Sequence, residues 1–311
     1  MVEQKKKKKV NRGIRRTIIM GKSVTITIAA NMTSNYSEGL GNIGSVQKIY
    51  RNRKTYAMRS RESLKNAIMV QSELYDDLQT TVDGATQKKV SDELNAANCK
   101  ALEGGYMSTK GTTFVRNSSF YLTDAIACEH FINETRFHNN LYLANNYADA
   151  NGINLQEKSK ESGLMPYQYE YDKSLKIYSI TIDLDMIGVD KNFNMEAAKE
   201  EKLDRVKALL KAVANLSLVV RGNLDNAEPI FCVGGLSVRK THYFENVVKV
   251  KNEELIITED LKAKLSEGFH AGLLQGGTFT NEADVVNQLQ PLSVNKFFET
   301  VIEEVKQYYE A

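Results

Sequence analysis

The sequence predicts an α+β fold built on a β-α-β-β-α-β, ferredoxin-like core with insertions. Three observations predict it. Val24, Ile26 and Ile28 alternate with Thr25 and Thr27, and Ile180, Ile182 and Leu184 alternate again far downstream, so two half-buried strands frame the chain. Helical spacing of Leu64, Ala67 and Ile68, and of Leu203, Val206, Leu210 and Val213, places one amphipathic helix after each. Extended stretches at 112–128 and 229–238 supply the remaining strands. The same order occurs in RNA-recognition domains.

Along the chain, residues 1–19 are read as a disordered basic extension. Residues 20–255 form the core, with insertion 76–111 and a long excursion 129–172. Residues 256–311 form a C-terminal helical segment packed on that core. After the first strand comes a Gly- and Asn-rich loop, Ser37 to Gly44, and then a hairpin, Lys48-Ile49-Tyr50 with Thr55-Tyr56-Ala57. Ser60 is a favoured N-cap for the first helix. Within 76–111, Val90, Leu94, Ala97 and Ala101 predict a helix near 88–102. The excursion is rich in Asn and Tyr, poor in periodicity, and is predicted to lack regular structure. The second helix spans about 196–216. Beyond 250 the pattern gives a short strand, a helix near 259–267, a glycine-rich loop and a last helix with the stripe Val294, Phe297, Phe298, Val301, Ile302 and Val305.

Composition narrows the function. The 311 residues carry 41 Lys+Arg and 39 Asp+Glu, and 42% are hydrophobic, which excludes bulk disorder. No apolar run reaches membrane-spanning length, and no apolar stretch follows the basic start, so neither a membrane span nor a secretory signal is expected. Cys99, Cys128 and Cys232 are scattered, as in a reducing compartment. The chain reads as cytoplasmic.

The charge is unevenly placed. Residues 1–22 hold nine basic residues and one acid, residues 45–70 hold seven basic residues and only Glu62, and residues 251–311 hold five lysines against eleven acids. A localised anion-binding face follows from the middle block, with a merely solvated surface as the competing reading.

No metal or nucleophile set emerges. His130, His138, His242 and His270 lack a second ligand at metal spacing, and no cofactor fingerprint is present. Asp183 and Asp185 share a strand face but read as the solvated side of that strand. The physical signal is instead Arg51, Arg53 and Lys54 on a hairpin turn, followed by Arg59-Ser60-Arg61-Glu62-Ser63 opening a helix. A helix N-terminus offers backbone N–H groups and a partial positive charge to phosphate. Arg221 with Asn223, after the second helix, and Arg239, Lys240 and His242, after the Gly234-Gly235 strand, are further candidates at element ends. Basic groups beside Tyr243 there fit single-stranded nucleic acid, or simply cations at helix ends. His138 either bonds or stacks on a ligand, or is an ordinary surface histidine.

Several stretches together resemble a known family. They are Tyr36-Ser37-Glu38-Gly39-Leu40-Gly41-Asn42-Ile43, Ser60-Arg61-Glu62-Ser63-Leu64-Lys65, Leu122-Thr123-Asp124-Ala125-Ile126-Ala127-Cys128-Glu129, Phe137-His138-Asn139-Asn140-Leu141, Ile180-Thr181-Ile182-Asp183-Leu184-Asp185 and Phe231-Cys232-Val233-Gly234-Gly235-Leu236. The chain resembles the backbone subunit of the type I-B CRISPR Cascade complex, the DevR branch of the RAMP superfamily, over roughly residues 22–250. The resemblance implies a non-enzymatic protein with palm, fingers and thumb that polymerises head to tail along CRISPR RNA. It would present the guide to target DNA beside other Cascade subunits, in antiviral defence. It places palm contacts at Ser60, Arg61, Ser63 and Lys65 with the basic hairpin before them, the thumb at 129–172, and Arg221 in the loop after the second helix with the later glycine strand beside it. Two rivals stand. One is a type III backbone subunit that cuts target RNA with a metal, with Asp124 as the suspect residue. The other is a generic single-stranded RNA-binding protein.

Overall fold

The computed structural model describes residues 22–36, 43–220 and 222–311. The basic extension 1–19, Gly39, Gly41 and the candidate Arg221 lie outside the described residues.

The first strand, Ser23–Thr33, is longer than its alternating core, because Ala29, Ala30 and Met32 continue the burial. It pairs antiparallel with Lys173–Asp183 on one side, Ile26 opposite Ile180, and with Phe231–Ser237 on the other, Ile26 opposite Gly234. A side chain at Gly234 would lie 2.0 Å from the Thr25 carbonyl oxygen, so only glycine fits that close approach. The sheet runs Leu292–Ser293, His270–Leu273, Phe231–Ser237, Ser23–Thr33, Lys173–Asp183, Ala125–Ala127, Lys54–Arg59, Lys48–Arg51, with Phe120–Leu122 also paired to Lys173–Asp183. The architecture is mixed α+β around this one central sheet.

Period-two alternation sends the strand residues to two different environments. Val24, Ile26, Ile28, Ile180 and Ile182 face a layer made by three helices: Arg61–Gln71 through Leu64 and Ile68, Lys199–Ala214 through Val206, Leu210 and Val213, and Val294–Glu310 through Phe297, Val301 and Val305. The last helix therefore belongs to the main core. Thr25, Thr27, Ser179 and Thr181 occupy the opposite face, and they too are buried. Thr27 and Ser179 bond each other at 2.7 Å, while Thr25 and Thr181 bond the loop that follows Phe231–Ser237. Further along the same face, Ala29, Phe231 and Val233 pack under Phe244, Val248, Leu261 and Phe279.

Three expectations need correction. Residues 88–102 are not a helix. The hairpin Thr80–Asp83 with Ala85–Lys88 runs into this segment, and turns followed by a 3-10 turn at Lys100–Gly104 take the helix's place. Asn95 and Asn98 explain the break. The Asn98 side chain accepts from the Asn95 N–H, and the Asn95 side chain accepts from the Ala97 N–H, so side-chain bonds replace helical ones. The excursion is also more regular than predicted. Thr135–Asn139 pairs antiparallel with Pro166–Glu170, and the helix Leu141–Asn151 lies between them. That helix buries only Ala144 and Ala148, while Tyr142, Leu143 and Tyr147 stay exposed, which is why its periodicity was faint. Finally, Asp183 is not on a solvated face. It is 6% exposed and paired with Lys240 at 2.7 Å.

Insertion 76–111 is pinned to the second helix by Glu103. Its carboxylate is fully buried and takes Arg116 at 3.1 Å, Arg205 at 2.8 Å and the Gly188 N–H at 2.7 Å. Removing one partner from such a knot leaves an uncompensated buried charge, at a cost of about 3–5 kcal/mol.

Candidate nucleic-acid interface

The basic hairpin forms as predicted. Lys48–Arg51 pairs with Lys54–Arg59 around a two-residue turn in which Asn52 and Arg53 have φ of 49° and 64°. This is the left-handed geometry that hairpin turns demand and that Asn-Gly would satisfy with least strain. The chain places an arginine there instead. Arg51, Arg53 and Lys54 are exposed, and none pairs with an acid among the described residues.

Five residues further on, about 17 Å at strand rise, Arg59 goes inward. It is 4% exposed, donates Nε to the Thr33 carbonyl at 2.9 Å and Nη1 to Ser63 Oγ at 2.8 Å, and keeps Nη2 buried with no partner. Burial lowers its pKa to about 10 against the opposing pull of Asp225, so the guanidinium remains charged under the first turn of the helix.

That turn differs from the open anion site expected of a bare N-terminus. Ser60 caps it as predicted, its Oγ accepting from Ser63 N at 3.3 Å, and Asp124 accepts from Arg61 N at 2.8 Å. Leu64 N bonds Ser60 O at 3.0 Å. The N–H groups of Arg61, Ser63 and Leu64 are occupied, so an anion here would meet mainly side chains. Arg61 is exposed and pairs loosely with Glu62. Lys65 is not available: its Nζ donates to Gly104 O at 2.7 Å and Ser118 Oγ at 2.9 Å and lies over the Phe120 ring. Burial, with the nearby Lys88, brings its pKa down to about 8.

The first helix start meets two other elements at the end of the first strand. The hairpin Ser217–Val220 with Asn223–Asn226 carries Asn223 exposed near its tip, and its Asp225 is bonded to Thr33. The base of the excursion arrives through Asp172, which accepts from Ser34 Oγ at 2.8 Å. On the excursion, the His138 ring stacks near-parallel on Tyr167 and Tyr169, with centroids 5.5 and 4.9 Å away, and its Nε2 is buried without a partner.

Arg239, Lys240 and His242 fall elsewhere. Ser23, at the opposite end of the first strand, bonds the Arg239 carbonyl, so they sit about 30 Å away at strand rise. Their polar groups are engaged within the chain. Arg239 pairs with Glu267, Lys240 bridges Asp183 and Asp185, and His242 Nδ1 shares a 2.9 Å bond with Thr181 Oγ1. Burial lowers the His242 pKa. This loop closes the polar face of the sheet, the face on which an open RNA-recognition sheet would stack bases.

Asp172, Lys173, Lys176 and Asp225 were not foreseen. Asp172 and Lys176 pair with each other four residues apart, but the bonds that tie this group to Met32, Thr33 and Ser34 cross more than 130 residues and nothing local marks them. No group of His, Cys, Asp and Glu among the described residues is arranged to hold a metal ion, and no described helix is long and apolar enough to cross a membrane.

A mixed α+β sheet protein with a cluster of exposed cations on an edge hairpin is the class that emerges. The chain belongs to the CRISPR-associated negative auto-regulator DevR/Csa2 family, whose sequence pattern matches residues 24–259. Its fold is similar to that of a chain from a solved CRISPR RNA-guided surveillance complex, with a TM-score of 0.53 and 11% identity, covering 90% of this chain and 98% of that one. A chain from a second such complex, in a pre-nicking state, gives a TM-score of 0.51 and 12% identity, covering 90% of this chain and all of the other. No curated protein matches the chain by sequence.

Proposed function

We propose that this protein is a CRISPR RNA-binding backbone subunit of a type I-B surveillance complex. Copies assemble head to tail along the guide and present it for pairing with target DNA, beside other subunits of the complex and without catalysis of their own. Sequence reading is delegated to base pairing, so the protein needs only backbone and shape contacts.

The observation that carries this reading is the hairpin turn. Three exposed cations without acidic partners stand on it, one of them an arginine at φ 64° where glycine would be the easier residue. Three cations without acidic partners on the turn, with exposed Arg61 at the helix start beyond, suit an extended polyanion. The strand order Phe231–Ser237, Ser23–Thr33, Lys173–Asp183, Ala125–Ala127 supports a ferredoxin-like, RNA-recognition-type palm. In this reading insertion 76–111 belongs to the fingers and excursion 129–172 is the thumb, whose exposed Tyr142, Leu143 and Tyr147 await a neighbouring subunit. The test is to purify the chain with the products of its genomic neighbours and sequence the RNA that accompanies it. Repeat-derived guide RNA of uniform length supports the proposal, and unrelated cellular RNA or none overturns it.

A further inference from the structure

Three elements, the first helix start, the base of the excursion and the hairpin that carries Asn223, are tied to one short stretch, residues 33–35. The helix start is held by Arg59 Nε on Thr33 O at 2.9 Å and by Ser60 N on Asn35 Oδ1 at 2.8 Å. The base of the excursion is held by Asp172, whose Oδ2 accepts from Ser34 Oγ at 2.8 Å and from the buried Lys176 Nζ at 2.6 Å. The hairpin after the second helix is held by Asp225, whose Oδ2 accepts from Thr33 N at 2.6 Å and Thr33 Oγ1 at 2.7 Å. Its other oxygen takes Lys173 Nζ at 2.5 Å. Lys173 follows the excursion directly, so this ion pair joins the excursion to the hairpin.

We propose that the Lys173–Asp225 pair is a positioning strut that fixes the hairpin 217–226 against the base of the excursion, and through them the spacing at which successive subunits meet an RNA strand. The second clause rests on the RNA-backbone reading above. Asp225 is 2% exposed and also receives two bonds from Thr33. The Lys173 side chain is 42% exposed, but its partner is buried, so removing the lysine takes the counter-ion from a buried carboxylate and costs stability as well as position. Lys173→Arg keeps the charge, and the width of a distance distribution taken well below the melting temperature reads position apart from stability. What Lys173 adds is a direct ion pair between two elements that are each also tied to residues 33–35. Burial pushes the Asp225 carboxyl up, but the bonds from Lys173 and Thr33 outweigh it and hold it below its ordinary value, so the strut is charged at neutral pH.

The test uses the full chain with spin labels on Asn145→Cys in the excursion helix and Asn223→Cys in the hairpin, both exposed positions. Lys173→Met, Asp225→Asn and Lys173→Arg are compared with the parent. Well below each melting temperature, the distance distribution should be narrow in the parent and in Lys173→Arg, and about twofold broader in Lys173→Met and Asp225→Asn, with a lowered melting temperature for Lys173→Met. Equal widths overturn the strut. If Asp225→Asn fails to fold, Lys173→Met carries the test alone. On guide-length RNA the parent should give a regular nuclease-protection interval that Lys173→Met blurs, with about tenfold weaker assembly and less than threefold weaker binding of RNA that spans a single subunit. An unchanged interval overturns the link to register. A broadened distance in a protein that protects no RNA overturns the backbone reading and leaves the strut standing.

Discussion

The Asp124 carboxylate accepts the Arg61 backbone N–H at 2.8 Å. A loop aspartate 63 residues downstream thus closes the first helix together with Ser60, and this is the suspect residue of the alternative reading as a metal-dependent RNA-cutting subunit. Here it has a structural task. Asp124→Ala should cost about 1 kcal/mol, the usual value of a lost cap, and Asp124→Asn, which keeps an acceptor, should cost less. Thermal unfolding measures both. RNA complementary to the guide, incubated with divalent metal, should stay intact with parent and variant alike. Cleavage by the parent that Asp124→Ala abolishes would restore the catalytic reading.

Lys65 and the hairpin cations should respond differently to mutation. Arg51, Arg53 and Lys54 face solvent, whereas the Lys65 ammonium is bonded to Gly104 and Ser118. Replacing the three hairpin residues by Ala should lower the slope of log affinity against log salt by about 0.7 per lost phosphate contact, uniformly across RNA sequences. Lys65→Ala should leave that slope unchanged and lower the melting temperature, because it loosens the insertion from the first helix.

The excursion closes as a hairpin at Asn139 opposite Pro166. Replacing 140–165 by a short Gly-Ser turn therefore keeps all five strand pairs and removes the helix with its exposed Tyr142, Leu143 and Tyr147. The shortened chain should be a folded monomer that binds short RNA and does not build length-dependent assemblies on long RNA. Sedimentation with RNA of increasing length reads this out. In-register assembly by the shortened chain would remove the thumb assignment.

His270 on the sheet edge bonds Glu304 of the last helix at 2.8 Å. That bond raises the His270 pKa above its ordinary 6.5, with burial opposing it. A group whose folded pKa is raised stabilises fully below its unfolded pKa, and the contribution is lost as pH rises through the folded value. The melting-temperature gap between the parent and His270→Gln should thus be larger near about pH 6 than near about pH 9. A gap that widens with pH would contradict the assignment.

Much of the core could be read because its causes are local. Alternating Val24, Ile26 and Ile28, the Ser60 cap and the stripe from Val294 to Val305 each record their own burial within a few residues. Where the reading failed, the cause was not local. The helix predicted near 88–102 lost to side-chain bonds of Asn95 and Asn98. The helix Leu141–Asn151 buries two alanines and exposes its large residues, so its pattern inverts the usual signal. Of the candidate contacts, the hairpin cations were legible as an unneutralised run. The intramolecular engagement of Lys65, Arg239, Lys240 and His242 was not, since Gly104, Glu267, Asp183 and Thr181 reach them only through the tertiary fold.

The central claim is that this chain grips RNA through phosphate contacts along one basic edge. The most direct measurement is the affinity of the purified full-length protein for labelled single-stranded RNA at a series of salt concentrations. The account predicts binding at low salt that weakens linearly in log-log form, by about 0.7 per phosphate contact, and whose slope falls when Arg51, Arg53 and Lys54 are replaced. Absence of binding at low salt, or an affinity that does not change with salt, would contradict it.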